Sequence, residues 1–264
     1  MLREHCFGTK KINFEIVSDE NVNFGHTGFP YANFNDPNLN VSIPVFSIHG
    51  NHDDPTGANN LCALDTLAAA GLINYFGKSN AADQNAANST SHIDIKPVLI
   101  QKGCTKLAIF GLGAIKDERL HNMFEKGHVE FARPPDENDW FNLFVIHQNR
   151  SAHGKKNYIP EGFLGNFLDL VIWGHEHECK IRPEYNDLQQ FFVTQPGSSV
   201  ITSLSESEIA PKHVALLKVY KNNFKLKPIP LRSIRPFMLE TIVLADQGFN
   251  ETDKNLEIKV EQVL

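Results

Sequence analysis

Three short polar stretches, each standing where an apolar run ends, carry the residues of this chain best suited to chemistry. Pro44-Val45-Phe46-Ser47-Ile48 leads into His49-Gly50-Asn51-His52-Asp53-Asp54. Residues 141–146 lead into His147-Gln148-Asn149-Arg150, and residues 168–173 lead into Gly174-His175-Glu176-His177-Glu178. Imidazole nitrogens together with amide or carboxylate oxygens suit Mn, Fe or Zn, and no cysteine pair is offered for a thiolate site. A lone histidine is more often a core or loop residue. Three such stations at three strand ends read instead as a metal cage assembled from distant segments. In an extended segment His175 and His177 point their rings to the same side, with Glu176 and Glu178 turned away. Cys179 shares the histidines' phase but is not counted as a ligand.

The runs that position these stations are short and rich in Val, Ile, Leu and Phe. Such runs suit strands covered on both faces, and ligands of α/β folds sit at the carboxyl ends of strands. Strands are expected over residues 12–17, 44–48, 93–101 and 105–112. After the third station, residues 190–194, 213–220 and 223–231 are expected to form a second sheet. Residues 59–70 read as a helix, with Leu61, Leu64, Leu67 and Ala68 at helical spacing and Gly71 as its stop. Residues 117–124 read as a short helix with an acidic first turn. Residues 78–92 are rich in Asn, Ala and Ser, with little to bury, and are expected to be a mobile insertion. Residues 252–264 read as an opening helix.

Composition excludes more than it identifies. The 264 residues are 41% hydrophobic and 21% charged, as in an ordinary globular protein. A net charge of −6 and a pI near 6.0 give no global basic field for nucleic acid, so any DNA contact must be local. Four separated cysteines suggest a reducing compartment without a disulfide framework, and no apolar run is long enough to span a membrane. The Asn-X-Ser/Thr matches at Asn40, Asn88, Asn149 and Asn250 are therefore read as chance.

Gly50-Asn51-His52-Asp53, the strand-end His147 and Gly174-His175-Glu176-His177 resemble the later motifs of the calcineurin-like metallophosphoesterases. The longer runs at residues 47–57, 141–151, 169–180 and Gln195-Pro196-Gly197-Ser198-Ser199 are similar to one branch of that family. That branch comprises the nucleases of DNA double-strand-break repair and meiotic recombination. The likeness runs from about Phe14 to Ala245. It implies an α/β fold, a four-layer α-β-β-α sandwich, with residues 1–231 as the nuclease domain and residues 232–264 beginning a DNA-binding cap.

The family also has an earlier Asp-X-His and an earlier Gly-Asp motif, and neither pattern occurs in this sequence. Met1 to Cys6 resembles the end of the helix that follows the second motif. The fold is therefore expected to lack its first two strands and to fold poorly in isolation. By resemblance Asn51, His147 and His175 hold one metal together with a bridging Asp that has no counterpart here. His177 alone remains of the second metal's ligands.

A complete site of this kind hydrolyses phosphodiesters with two Mn²⁺ ions, and His52 faces the scissile phosphate as the catalytic residue. With the bridging carboxylate missing, at most one ion is expected to bind, weakly, and the chain alone is expected to be inactive. Asn149 and Arg150 are candidate DNA contacts; Lys155 and Lys156 read as solvated charges. Asp53 and Asp54 are turn residues or orient a neighbouring ring. His49 and His153 read as structural or exposed, and Trp173 as a wall residue.

The resemblance further implies 3'–5' exonuclease and single-strand endonuclease activity and a nuclear location. Its partners are DNA, a second copy, a coiled-coil ABC-type ATPase and a nibrin-type adaptor, with no membrane involved. Two other readings stay open: a non-catalytic short form that binds DNA or repair partners, and a metallophosphatase. The latter needs carboxylates at strand ends within residues 1–50, where Asp19 alone is a poor substitute.

Overall fold

The computed structural model describes residues 1–79, 92–152 and 154–241. Most of the expected insertion, His153 and the expected helix at 252–264 lie outside the described residues. The first half of the chain forms α1 (Leu2–Cys6), β1 (Glu15–Ile16), α2 (Glu20–Phe24), β2 (Phe46–Ser47), α3 (Ala63–Ala69) and β3 (Asn74–Tyr75). There follow β4 (Ile93–Ile95), β5 (Val98–Lys102), β6 (Thr105–Leu112), α4 (Asp117–Glu125) and β7 (Val129–Phe131). The remainder is β8 (Trp140–His147), β9 (Leu170–Gly174), β10 (Lys180–Asn186), β11 (Phe191–Gln195), β12 (His213–Tyr220) and β13 (Asn223–Pro230). Seven strands form one mixed sheet in the order β1-β5-β6-β8-β9-β11-β10. Its centre, β6-β8-β9-β11, is parallel and its flanks are antiparallel.

The parallel centre follows from the residues that build it. Ala108, Phe110, Leu112, Phe144, Ile146, Val171, Trp173, Phe191 and Val193 alternate into one core. Ile109, Phe141, Leu143, Leu170, Ile172 and Phe192 face the other side. A strand apolar in both phases is stable only when both its faces are covered. Helix α4 covers the first face with Leu120, Met123 and Phe124, helped by the parallel β4–β7 ribbon through Ile93, Ile95, Val129 and Phe131. The antiparallel β12–β13 hairpin covers the second with Leu217, Val219 and Phe224. Each such side chain contributes roughly 1.5–3 kcal/mol when fully buried. The result is an α/β sandwich around one large mixed sheet, the class expected from the sequence.

Three local expectations are corrected. Residues 190–194 do not enter a second sheet; β11 pairs in parallel with β9 inside the main one. Phe191 and Val193 are buried on one face while Phe192 packs on the other, which demands a two-sided position. Strand β10, polar at Lys180, Arg182 and Glu184 and carrying Pro183, takes the edge instead.

The helix expected from residue 59 starts only at Ala63. Thr56 and Leu61 exchange backbone hydrogen bonds at 3.0 and 3.2 Å, Asn60 turns the chain at φ 49°, and Leu61 is left exposed. Asp65 then accepts from the Cys62 N–H at 2.8 Å and starts the helix. The single strand expected over 93–101 breaks at Pro97, which has no N–H to give a ladder, into β4 and β5. Asp19 caps α2 by accepting from the Asn21 N–H. No helix among the described residues is long and apolar enough to cross a membrane.

Candidate metal centre

Strands β8 and β9 run in parallel register with His147 opposite Gly174, so the second and third stations finish level with each other. The first station arrives from β2, which among the described residues pairs only with β3. It is fastened to the end of β6 by an Ala114 N–H donating to the His49 carbonyl at 3.1 Å. A tight turn follows, in which Asp53 N–H donates to the Gly50 carbonyl at 3.2 Å and Gly50 N–H donates to Asp53 Oδ2 at 3.3 Å. This turn brings Asn51 to the other two stations.

Asn51 Oδ1 lies 3.0 Å from His147 Nε2 and 3.2 Å from His175 Nδ1, and the two rings sit 5.2 Å apart at 74°. Donors held about 2.1 Å from one ion at right angles stand about 3 Å from each other. The measured edges therefore fit a divalent ion, and the mixed amide and imidazole set suits Mn, Fe or Zn. Close approach of the stations requires two glycines. A Cβ at Gly50 would lie 2.8 Å from His147 Cε1, and one at Gly174 would lie 3.0 Å from His147 Nδ1. Burial, followed by the neighbouring His175, lowers the His147 pKa to about 4. Its ring is thus neutral at physiological pH, the protonation state that a metal-binding histidine needs.

The segment after β9 departs from the extended geometry expected of it. The strand stops at Gly174, and His175 adopts φ 82°, a conformation costly for a residue with a Cβ and characteristic of functional sites. His175 consequently faces Asn51, whereas His177 turns its Nδ1 to Glu208 Oε1 at 3.1 Å and Thr202 Oγ1 at 2.6 Å. Burial pushes the Glu208 carboxyl up, but hydrogen bonds from Thr202 and Lys212 outweigh it and hold the group well below the usual carboxylate range.

His52 stands exposed on the turn beside Asn51. His49 is structural: it is buried between the Tyr75 hydroxyl at 2.8 Å and the Ala114 carbonyl at 3.2 Å, with Asp54 Oδ1 at 3.8 Å. Trp173 is a wall residue whose indole N–H donates to the Gln148 carbonyl.

Asn149 and Arg150 are committed to protein partners. Asn149 donates through its backbone and side chain to Asp117 at 3.1 and 2.8 Å. The Arg150 guanidinium is shared among Glu161 at 2.9 Å, Glu184 at 3.1 Å and Gln195 at 3.1 Å. Lys156 is likewise paired with Glu125 at 2.6 Å. Sequence reasoning missed two organising carboxylates, Glu208 and Glu176. The latter accepts from the Arg150 and Ser151 N–H groups at 2.8 and 2.9 Å and locks the third station to the second. Glu176 offers only its place within the third station as a sequence signal, and Glu208 offers none.

Among the described residues no third His, Cys, Asp or Glu joins His147 and His175 as a ligand group. A separate exposed group, His92 with Asp94 and Glu130 at 3.3 and 3.4 Å, lies at the β4–β7 ribbon.

A metal cage of this type at the carboxyl edge of a parallel sheet is what a metallophosphoesterase requires. Residues 17–179 match the family model for calcineurin-like phosphoesterases, and the chain belongs to that family. Residues 224–264 match a second model, the Mre11 DNA-binding presumed domain. The double-strand break repair proteins MRE11 of Rattus norvegicus and Homo sapiens are each 57% identical over 247 residues, 93% of this chain and 34% of theirs. The MRE11 protein of Arabidopsis thaliana is 47% identical over 262 residues, 97% of this chain and 36% of its own length. The chain thus spans about a third of the length of these relatives.

Proposed function

We propose that this chain carries the metal site of a Mn²⁺-dependent DNA nuclease of double-strand-break repair. The observation that carries the reading is the convergence of Asn51 Oδ1, His147 Nε2 and His175 Nδ1 within hydrogen-bonding distance. Relatives named for double-strand break repair give it its substrate class.

Asn51, His147 and His175 would hold one ion, and His177 would contribute to a second. Bound metal ions supply a hydroxide near neutral pH and neutralise charge on the attacked phosphate. The chain's own residues orient and protonate. The Gly50–Asp53 turn fixes Asn51, and the lowered pKa of His147 keeps its lone pair available. His52, exposed on the same turn, would meet a phosphate there and stabilise charge or protonate the leaving oxygen.

The same likeness supports exonuclease and single-strand endonuclease activity, a role in meiosis and a nuclear location. It also supports assembly as a homodimer with a coiled-coil ABC-type ATPase and a nibrin-type adaptor. The second family match, at residues 224–264, supports a DNA-binding cap that begins near residue 232.

Among the described residues no carboxylate groups with His147 and His175, so the 264-residue chain by itself is expected to leave DNA uncut. The same observation favours the second reading, a non-catalytic form that binds DNA or partners. The two are separated by fusing a segment with the family's Asp-X-His and Gly-Asp motifs ahead of Met1. The fusion is assayed with Mn²⁺ on labelled single-stranded and 3'-recessed DNA. Cleavage by the fusion that disappears in His52→Ala supports the nuclease reading. A folded, Mn²⁺-binding fusion that cuts nothing contradicts it. Metal-dependent cleavage by the unfused chain, lost in His52→Ala, overturns the expected inactivity.

A further inference from the structure

Beneath His177 lies a buried ion pair that the metal cage does not explain. The side chains of Glu208 and Lys212 are 0% and 1% exposed and meet at 3.0 Å. Such a pair survives burial only if its remaining lone pairs and protons are also satisfied. Here they are. Glu208 Oε2 accepts from the Ser198 hydroxyl at 3.1 Å and from the Thr202 N–H at 3.2 Å. Oε1 accepts from the Ser203 N–H at 3.1 Å and from the Thr202 hydroxyl. Lys212 Nζ donates to the Ser198 hydroxyl at 2.9 Å and to the backbone carbonyl of His177 itself at 2.8 Å.

One contact in this network carries chemical information. The His177 Nδ1 atom faces Glu208 Oε1 at 3.1 Å and Thr202 Oγ1 at 2.6 Å. The carboxylate is surrounded by donors and has no proton to give, and the Thr202 hydroxyl spends its proton on Glu208. Both atoms facing Nδ1 are therefore acceptors, so Nδ1 must carry the ring proton. The lone pair then resides on Nε2, at the opposite side of the ring.

We propose that Glu208, backed by Lys212, is a positioning residue that fixes His177 as its Nδ1–H tautomer and leaves Nε2 as the ligand atom for a divalent ion. A carboxylate that orients a ligand histidine through its second nitrogen both sets the tautomer and raises ligand basicity. Lys212 holds the same residue twice, through Glu208 and through the His177 carbonyl. Only the word ligand rests on the proposed metal site; the tautomer follows from the contacts.

The test is long-range ¹H–¹⁵N NMR of the metal-free, ¹⁵N-histidine-labelled chain, with His177→Gln used to assign the signals. The wild type is expected to show His177 protonated at Nδ1. In Glu208→Gln the Lys212 ammonium, which can only donate, holds the amide oxygen and leaves the amide N–H groups facing His177 Nδ1. The Nδ1–H signature is therefore expected to be lost, while the signals of His49 and His121 stay in place. If that variant unfolds, the pair Glu208→Met with Lys212→Met leaves no uncompensated charge, frees the Thr202 hydroxyl proton for Nδ1 and is expected to show the same loss. A wild-type ring protonated at Nε2, or an Nδ1–H signature that survives in a folded variant lacking the carboxylate, overturns the proposal. Because no metal is present, failure of the metal-site reading would leave this result unchanged.

Discussion

The position of His147 depends on the absence of a side chain at Gly50. A Cβ there would lie 2.8 Å from His147 Cε1, 3.0 Å from Nε2 and 3.3 Å from Nδ1. Ordinary contacts begin at 3.4 Å, so in Gly50→Ala the 2.8 Å approach must open by about 0.6 Å. Recoil of the ring changes its distance to Asn51 Oδ1, which stands 3.0 Å from Nε2.

Metal sites tolerate ligand displacements of about 0.2 Å. A shift three times larger is expected to weaken Mn²⁺ binding by about 10–100-fold, or roughly 1.4–2.8 kcal/mol. Overpacking adds a folding cost of about 1–3 kcal/mol. Gly28→Ala, where a Cβ meets nothing within 4 Å, is the matched control. Isothermal titration with Mn²⁺ reads the affinity, and thermal melting confirms that each variant is folded. A folded Gly50→Ala chain with wild-type Mn²⁺ affinity would refute the placement of His147 as a ligand.

Acid should destabilise the fold through its buried imidazoles. His26 and His147 are lowered to about 4, chiefly by burial, and His49 is lowered for the same reason. Unfolded histidines titrate near 6.5, so the unfolded chain takes up protons that the fold refuses. Their contribution is complete above pH 6.5 and is lost progressively as pH falls toward 4; a melting temperature unchanged between pH 7 and 4.5 would contradict this. Arg150→Ala leaves Glu161 and Glu184 without their shared cation, and urea denaturation is expected to show a loss of about 1–3 kcal/mol. Arg150→Lys is expected to recover only part of that, since an ammonium lacks the planar fork; full recovery would count against a geometric role. Phe144→Ala, at the centre of the larger core, is expected to cost about 3–5 kcal/mol. A midpoint shift equivalent to less than 1 kcal/mol would mean that the sheet is not packed as described.

The convergence of the three proposed ligands was legible because their chemistry and their placement coincide in the sequence. Asn51, His147 and His175 each follow an apolar run, and such runs end at the same edge of a parallel sheet. What the sequence hides is long-range and aperiodic. Glu208 sits in a Ser/Glu-rich loop with no strand or helix signal, yet it reaches across thirty-one residues to His177. His175, at φ 82°, leaves the extended backbone on which the alternation argument relied, and no sequence periodicity shows such a turn. Leu61 fitted a helical stripe but lost to the Thr56–Leu61 pairing. Arg150, beside a ligand station, looked available for phosphate; its acceptors come from Glu161, Glu184 and Gln195, which no local pattern connects. Strand β11 was found but assigned to the wrong sheet, because burial on both faces does not say which neighbours provide it.

The most direct test of the metal centre is anomalous diffraction from a Mn²⁺-soaked crystal of the chain, collected at the manganese edge. The account predicts a peak about 2.0–2.2 Å from Asn51 Oδ1, His147 Nε2 and His175 Nδ1. It predicts that the peak disappears in His175→Ala. An ordered site with no peak there, or manganese found only at His92, Asp94 and Glu130, would contradict it.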